Sequence, residues 1–199
     1  MLILKRSVFF ICVVFLVLAL GYGWLQVSVS EKKVEFKSNN LVLSGTLLSP
    51  RWNDAAPAIV LVSGSGPATR QSMIVYAWLF AIKGYATLAY DKRGVGASEG
   101  QPHEWREFSF VDLAADAAAA YNFLQLDPRI DQNTVGFFGA SQGGWVVSLA
   151  ANHVKSPAFA IMTSASVSTV AEDRIFGREA KIRYAGFDEI AVTEASNLI

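Results

Sequence analysis

Ser141 lies within the small-residue run GASQGG, residues 139–144, which is the part of the sequence best suited to nucleophilic chemistry. A serine hydroxyl is a weak nucleophile at neutral pH, so it needs exposure, a general base and hydrogen-bond donors for the oxyanion that it creates. An apolar run precedes these residues and a helix-like run follows them, which predicts a strand, a sharp turn and a helix. Gly139 and Gly143 stand two residues before and two after the serine, where small residues let strand and helix close up. The pattern therefore predicts a nucleophile elbow at Ser141.

Two backbone groups are candidate donors to the oxyanion. The N–H of Gln142 follows the serine directly and lies at the start of the predicted helix, whose positive end favours negative charge. A second donor should come from the loop after the first central strand, in LVSGSGPATR, residues 61–70, where glycines allow a sharp turn. The N–H of Ser65 is the candidate there. The sequence therefore predicts an oxyanion hole formed by Ser65 and Gln142.

A general base for Ser141 is not evident among the histidines. His153 follows it by twelve residues on the predicted helix, about 18 Å along the axis and beyond hydrogen-bond reach. His103, in EGQPHEW, is predicted to be a solvated loop residue. Two expectations remain open. Either the chain is the N-terminal part of a longer protein whose base lies beyond residue 199, or it is a complete protein with an inactive elbow.

A mainly parallel sheet is predicted to position these residues. Alternation of apolar and polar residues over 33–50 predicts an antiparallel hairpin. Short continuous apolar runs then predict strands covered on both faces, at residues 58–62, 86–90, 135–138 and 159–164. Helices are predicted between these runs, and in the one following Ser109 the apolar face should oppose Asp112 and Asp116. The fold class is therefore α/β, with an antiparallel start and then parallel strands joined by right-handed crossover helices.

Three motifs give the chain a family resemblance. LVSGSGP at 61–67, YDKRGVGASEG at 90–100 and GASQGG at 139–144 occur in the order typical of α/β-hydrolases. Over about residues 33–185 the chain resembles their serine aminopeptidase and monoacylglycerol-lipase-like group. The resemblance implies hydrolysis of an acyl ester, thioester or peptide bond in a small-molecule acyl or peptide substrate, without a cofactor. It also implies that the catalytic Asp or Glu and His follow the serine on later strands, beyond residue 199, so that this chain by itself is inactive.

This sequence departs from the family pattern before the oxyanion loop. Relatives commonly have His-Gly at that point, whereas here Ser63 precedes Gly64. The substitution changes a side chain of the loop more than its backbone donors. Beyond the predicted core at residues 31–165, the charged segment 166–199 is predicted to begin a lid-like helical insertion, with a break at Gly186.

The N-terminal segment is predicted to direct the chain to a membrane. Residues 7–26 are uncharged and largely apolar, near the ~20 residues that span a bilayer and above the ~7–15 of a signal-peptide core. They are predicted to form a signal anchor or a signal peptide, with a buried core helix as the alternative. Lys5 and Arg6 place residues 1–6 in the cytoplasm and the domain on the extracytoplasmic side, or outside the cell if the segment is cleaved.

Composition argues against several other classes of protein. Lys+Arg and Asp+Glu number 17 each, so no nucleic-acid partner is indicated. Cys12 is the single cysteine and the two histidines are far apart, so neither a disulfide nor a metal site is expected. A dinucleotide site, with Asp91 binding a ribose, would need a third glycine where Thr69 stands. The alternative from a different class is a membrane-anchored binding or scaffold protein that has kept the fold without catalysis.

Overall fold

Strands in the described part of the chain form one mixed sheet in the order β1-β2-β4-β3-β5-β6. The computed structural model describes residues 2–101, 109–165 and 168–196. Its strands are β1 (Val29–Ser38), β2 (Leu41–Pro50), β3 (Ala56–Val62), β4 (Ala86–Tyr90), β5 (Ile130–Ala140) and β6 (Ala160–Thr163). The β1–β2 and β2–β4 pairs are antiparallel, and the other three pairs are parallel. The predicted α/β class, with an antiparallel start and then parallel strands, is confirmed.

Helices connect the parallel strands as predicted. The helices are α1 (Leu2–Ser28), α2 (Ile74–Ala81), α3 (Phe110–Leu124), α4 (Gln142–Ala150), α5 (Val170–Tyr184) and α6 (Glu189–Ser196). The chain divides into two compact units, Met1–Thr163 and Ser164–Ile199. In the second unit Gly186 has a φ of 85° and lies between α5 and α6, which confirms the predicted helix break.

The N-terminal residues form α1, which runs through the segment predicted to be a signal anchor or signal peptide. Within the part of the chain that the structure describes, no helix combines the length and the apolar character needed to cross a bilayer. The membrane or signal segment predicted at residues 7–26 is therefore not supported. The cytoplasmic N-terminus and the extracytoplasmic domain stay predictions.

Both faces of the central strands are buried. Val60 and Phe137 lie on the face that packs against α3 and α4. Ile59 and Phe138, one residue away on the same strands, lie on the face that packs against α2. Successive side chains of a strand point to opposite faces, so continuous apolar runs are needed wherever helices cover both sides of the sheet.

The edge strand β6 differs from the prediction that it is covered on both faces. Ile161 is 42% exposed and Met162 54% exposed. In the described residues, β6 pairs with β5 and is the last strand of the sheet. An apolar run predicts a strand equally well at the edge and at the centre of a sheet, so burial could not be inferred from it.

The second crossover helix, α3, begins at a capping box in which Ser109 and Asp112 bond reciprocally to each other's backbone N–H. Its apolar residues Leu113 and Leu124 are buried as predicted. The expectation that Asp116 lies opposite them was wrong, since it is only 1% exposed. Arg93 donates hydrogen bonds to both of its carboxylate oxygens, at 2.7 and 2.6 Å. A paired carboxylate can be buried where an unpaired one cannot.

Glycines let β3, β5 and α4 meet through their backbones. A Cβ atom on Gly139 would collide with the carbonyl of Gly143. One on Gly143 would collide with the carbonyl of Val62 and lie 2.9 Å from the carbonyl oxygen of Ser63. Since no side chain fits between these elements, the turn at the end of β5 is held close to the loop that follows β3.

A buried ion pair ties the loop after β3 to β2 and β4. Arg70 donates to both carboxylate oxygens of Asp91, at 3.0 and 2.7 Å, and also to the carbonyl of Gly45 and the hydroxyl of Ser44. Burial raises the pKa of Asp91, but hydrogen bonds from Arg70 and from the N–H of Ala97 outweigh it and hold the pKa below its usual value. The carboxylate therefore stays charged at neutral pH.

We expect Asp91→Ala to lower the free energy of unfolding by about 3–5 kcal/mol, because it leaves a largely buried guanidinium without its partner. Asp127→Ala is the matched control, since its partner Arg129 is half exposed, and it should cost at most about 1 kcal/mol. Urea denaturation measures both. Because the pKa of Asp91 is depressed, the difference from wild type should persist from pH 7 to about 4 and shrink at lower pH. Equal losses in the two variants would contradict this.

We expect Gly143→Ala to lower the stability of the fold by about 1–3 kcal/mol, since the added methyl meets fixed backbone atoms. For a chain of this size that is a decrease of roughly 2–12 °C in the thermal midpoint, measured by circular dichroism. Gly21→Ala is the control, because a Cβ there meets nothing within 4 Å on α1. An unchanged midpoint in Gly143→Ala would mean that strand and helix are not in backbone contact.

Candidate active site

Ser141 occupies a strained turn between the last residue of β5 and the first of α4. Its φ of 53° and ψ of −122° lie in a region that residues other than glycine rarely adopt. Its N–H donates to the carbonyl of Thr163 at 2.9 Å, and its own carbonyl accepts from the N–H of Gly144 at 2.8 Å. The residue is exposed. The turn therefore presents the serine hydroxyl to solvent at the start of a helix.

The loop of residues 63–69, called here the oxyanion loop, lies against this serine. A Cβ on Gly64 would be 3.4 Å from the Cβ of Ser141 and 3.9 Å from its Oγ, so the main chain of the loop borders the hydroxyl. Within the described residues, the N–H groups of Ser65 and Gln142 have no hydrogen-bond acceptor. The two predicted donors belong to the residues that follow Gly64 and Ser141, and their role in an oxyanion hole stays a prediction.

Lys92 joins the oxyanion loop to the elbow, a role that the sequence analysis did not predict. Its ammonium donates to the carbonyl of Gly64 at 2.5 Å and to the Oε1 of Gln142 at 2.8 Å, and lies 3.4 Å from the carbonyl of Gly66. The residue is only 7% exposed, and burial lowers its pKa to about 8. The available signal was a lysine two residues after the end of a buried strand, within the motif YDKRGVGASEG.

The buried carboxylates near this end of the sheet are already paired. Asp91 binds Arg70, and Asp116 binds Arg93, with closest N–O distances of 2.7 and 2.6 Å. Burial lowers the pKa of Arg93, but hydrogen bonds to Asp116 outweigh that effect and raise it. Neither carboxylate is free to orient a histidine. The dinucleotide alternative also loses its ribose ligand, since Asp91 has both oxygens occupied.

No described side chain forms a hydrogen bond with the hydroxyl of Ser141. His153 is exposed and lies three residues past the C-terminal end of α4, so the whole helix separates it from the elbow. His103 lies outside the described residues. In the ranges that the structure describes, no group of three or more acidic, histidine or cysteine side chains could hold a metal ion. Among the residues that the structure describes, the exposed hydroxyl of Ser141 therefore has no general base beside it.

A separate cavity of about 250 Å³ does not belong to this site. Its lining includes Ala56, Ala86 and Ile130, the first residues of β3, β4 and β5. Ser141 follows the last residue of β5, and the carboxyl ends of parallel strands lie at the opposite edge of the sheet from their first residues. The elbow stands at the edge where α/β sheets bind their ligands.

Comparison with known proteins agrees with this geometry. A family model described as serine aminopeptidase, S33, matches residues 37–196. The chain is 36% identical over 120 residues to the quorum-quenching protein AidA of Acinetobacter baumannii, which covers 60% of this chain and 39% of AidA. It is 32% identical over 114 residues to the thiohydrolase aneE of Aspergillus aculeatus, covering 56% of this chain and 34% of that protein. The chain thus spans well under half the length of these curated relatives.

A solved structure shows the same fold. The esterase Pf2001 of Pyrococcus furiosus superposes with a TM-score of 0.61 at 21% identity, covering 85% of this chain and 64% of the esterase. At that identity the likeness concerns the fold alone. With the family match over most of the chain, it confirms the resemblance seen in the sequence: the chain belongs to the serine aminopeptidase S33 family of α/β-hydrolases.

Proposed function

We propose that the chain carries the nucleophile and oxyanion hole of a serine hydrolase that cleaves an acyl ester, thioester or amide bond. The observation that carries the proposal is the backbone of Ser141, whose φ of 53° combined with a ψ of −122° places an exposed hydroxyl between β5 and α4. Such strain costs of order 1–3 kcal/mol and collects at functional sites. An ordinary strand-to-helix connection does not require it.

In the proposed reaction the Oγ of Ser141 attacks the carbonyl carbon of the substrate while a general base takes its proton. The carbonyl oxygen becomes an oxyanion, to which the N–H groups of Ser65 and Gln142 donate. The start of α4 adds positive potential at the same point. The protonated base then donates this proton to the departing alcohol, thiol or amine, which leaves an acyl-enzyme. Water hydrolyses the acyl-enzyme to a carboxylic acid and restores the hydroxyl of Ser141. Each step is a proton transfer or an acyl transfer and needs no cofactor.

The general base is proposed to come from sequence beyond residue 199, where the family resemblance places the catalytic Asp or Glu and His. Both buried carboxylates near the site are paired with arginines, and His153 lies beyond α4. The region aligned with AidA covers 39% of that protein, so this relative is longer than the part that it shares with the chain. The 199-residue chain is proposed to be inactive by itself.

The names of the relatives support acyl compounds as substrates. The Aspergillus relative is a thiohydrolase, and another relative, from Stachybotrys chlorohalonatus and 27% identical, is a polyketide transferase. Both names fit a serine that accepts an acyl group from a small molecule. We therefore include thioesters with oxygen esters as the substrates to be assayed first.

A second candidate function is a binding protein that keeps the fold without catalysis. It is favoured by one observation, that no described residue forms a hydrogen bond with the hydroxyl of Ser141. An unactivated serine does not react with fluorophosphonates, so covalent labelling separates the two functions.

For the protein expressed from its complete gene, we expect Ser141→Ala to lower ester and thioester hydrolysis by at least about 10⁴-fold, since the nucleophile is lost. A fluorophosphonate should label the wild-type protein at Ser141 and leave this variant unlabelled. Ser148→Ala is the control, because that hydroxyl is exposed on α4 and bonds only locally to the carbonyl of Trp145. Undiminished hydrolysis by Ser141→Ala, or no labelling of the wild type, would contradict the proposal.

The 199-residue chain assayed by itself should show only the residual catalysis of an oxyanion hole without its base, roughly 10³–10⁴ above the reaction in water. The reason is that the described residues place no histidine beside Ser141. The measurement is hydrolysis of the same ester, with Ser141→Ala as background. If the chain is fully active and Ser141→Ala abolishes this activity, the base lies within these 199 residues. His103→Ala would then test the first candidate for the base.

A further inference from the structure

The ammonium of Lys92 is directed at the backbone that is proposed to form the oxyanion hole. It bonds to the carbonyl of Gly64 at 2.5 Å and to the side chain of Gln142 at 2.8 Å, with the carbonyl of Gly66 at 3.4 Å. An ammonium has three donor hydrogens, so these acceptors account for all of them. The side chain thus connects Gly64, which precedes the proposed donor Ser65, with Gln142, the other proposed donor.

The position of the Gly64 carbonyl fixes the direction of the neighbouring donor. In a trans peptide the C=O of one residue and the N–H of the next are held in one plane and point in opposite directions. A cation that holds the oxygen of Gly64 on one side therefore aims the N–H of Ser65 toward the other side. Charge on that oxygen also polarises the peptide unit, which makes its N–H a stronger donor.

We propose that Lys92 is a positioning residue, which aligns the N–H of Ser65 with that of Gln142 by clamping the oxyanion loop onto the elbow. The inference rests on the proposed function, because it needs an oxyanion at Ser141. The charge of Lys92 contributes as well as its shape, since a neutral side chain neither polarises the peptide nor holds three acceptors.

Lys92 has no counter-ion among the described residues. The oxyanion loop and α4 contain no ionisable side chain. The charged residues on either side of Lys92 have other partners, since Asp91 is paired with Arg70 and Arg93 is paired with Asp116. Burial lowers the pKa of Lys92 to about 8. The clamp should therefore weaken as the pH rises through this value and the ammonium loses its proton.

The test compares Lys92→Met, which keeps the length of the side chain but removes its charge, with Lys83→Met, the same change at an exposed lysine. The assay is ester hydrolysis by the protein from its complete gene. We expect kcat of Lys92→Met to fall about 100-fold, near the cost of losing one oxyanion donor. KM should change by less than about threefold, since the oxyanion contact is made in the transition state. Lys83→Met should match the wild type.

A second test begins with the wild type, whose kcat is measured from pH 6.5 to 9.5. Because the protonated lysine is the aligned form, kcat should fall through a midpoint near 8. In Lys92→Met this fall in kcat should be absent. In Gln142→Met, which removes one acceptor of the lysine but keeps the backbone N–H, the fall should be smaller than in the wild type. The variant that combines Lys92→Met with Gln142→Met should have a kcat no lower than that of Lys92→Met alone.

The outcomes separate this inference from the proposed function. If Ser141→Ala is inactive while Lys92→Met is as fast as Lys83→Met, or if wild-type kcat does not fall anywhere between pH 6.5 and 9.5, the positioning role is overturned and the serine hydrolase stands. A rise in KM of Lys92→Met without a fall in kcat would also overturn it. That result would mean that the lysine contributes equally to binding the substrate and the transition state. If Ser141→Ala retains full activity, the proposed function fails and the inference fails with it.

Discussion

Three consecutive charged residues, Asp91, Lys92 and Arg93, are buried where β4 ends, with exposures of 3, 7 and 5%. Burying charged groups is costly unless each one is paired or hydrogen-bonded. Each of the three side chains binds partners on a different element. The hydrogen bonds and ion pairs that these charges require therefore determine how those elements pack together. Asp91 holds Arg70 and through it β2, Lys92 holds the oxyanion loop and the elbow, and Arg93 holds α3 through Asp116. The site depends on this arrangement.

The second constraint is backbone contact at the elbow. Gly139 and Gly143 leave no room for a side chain between β5, α4 and the end of β3, and Gly64 brings the oxyanion loop against Ser141. Hydrogen bonds to Thr163 and from Gly144 hold the serine in its strained backbone conformation. Backbone contacts between these elements therefore position the residue that carries the exposed hydroxyl.

Local pattern predicted the elements better than it predicted their surroundings. Apolar runs located β3, β4, β5 and β6, since a continuous apolar run is typical of a strand that is buried on both faces. The same run could not show that β6 is an exposed edge strand. Helical periodicity correctly placed Leu113 in the core, but it placed Asp116 on the opposite face. The period of a helix carries no information about Arg93, which approaches from another loop and binds Asp116.

The sequence by itself determined the family, the order of strands and helices, and the candidate residues Ser141, Ser65 and Gln142, because glycine spacing around a turn is a local property of the chain. The tertiary structure alone decided which charges are buried and what they bind. Lys92 is fifty residues from Gln142 in sequence and 2.8 Å from its side chain. Such contacts arise from crossover connections that bring the ends of parallel strands to one edge, and no local pattern records them.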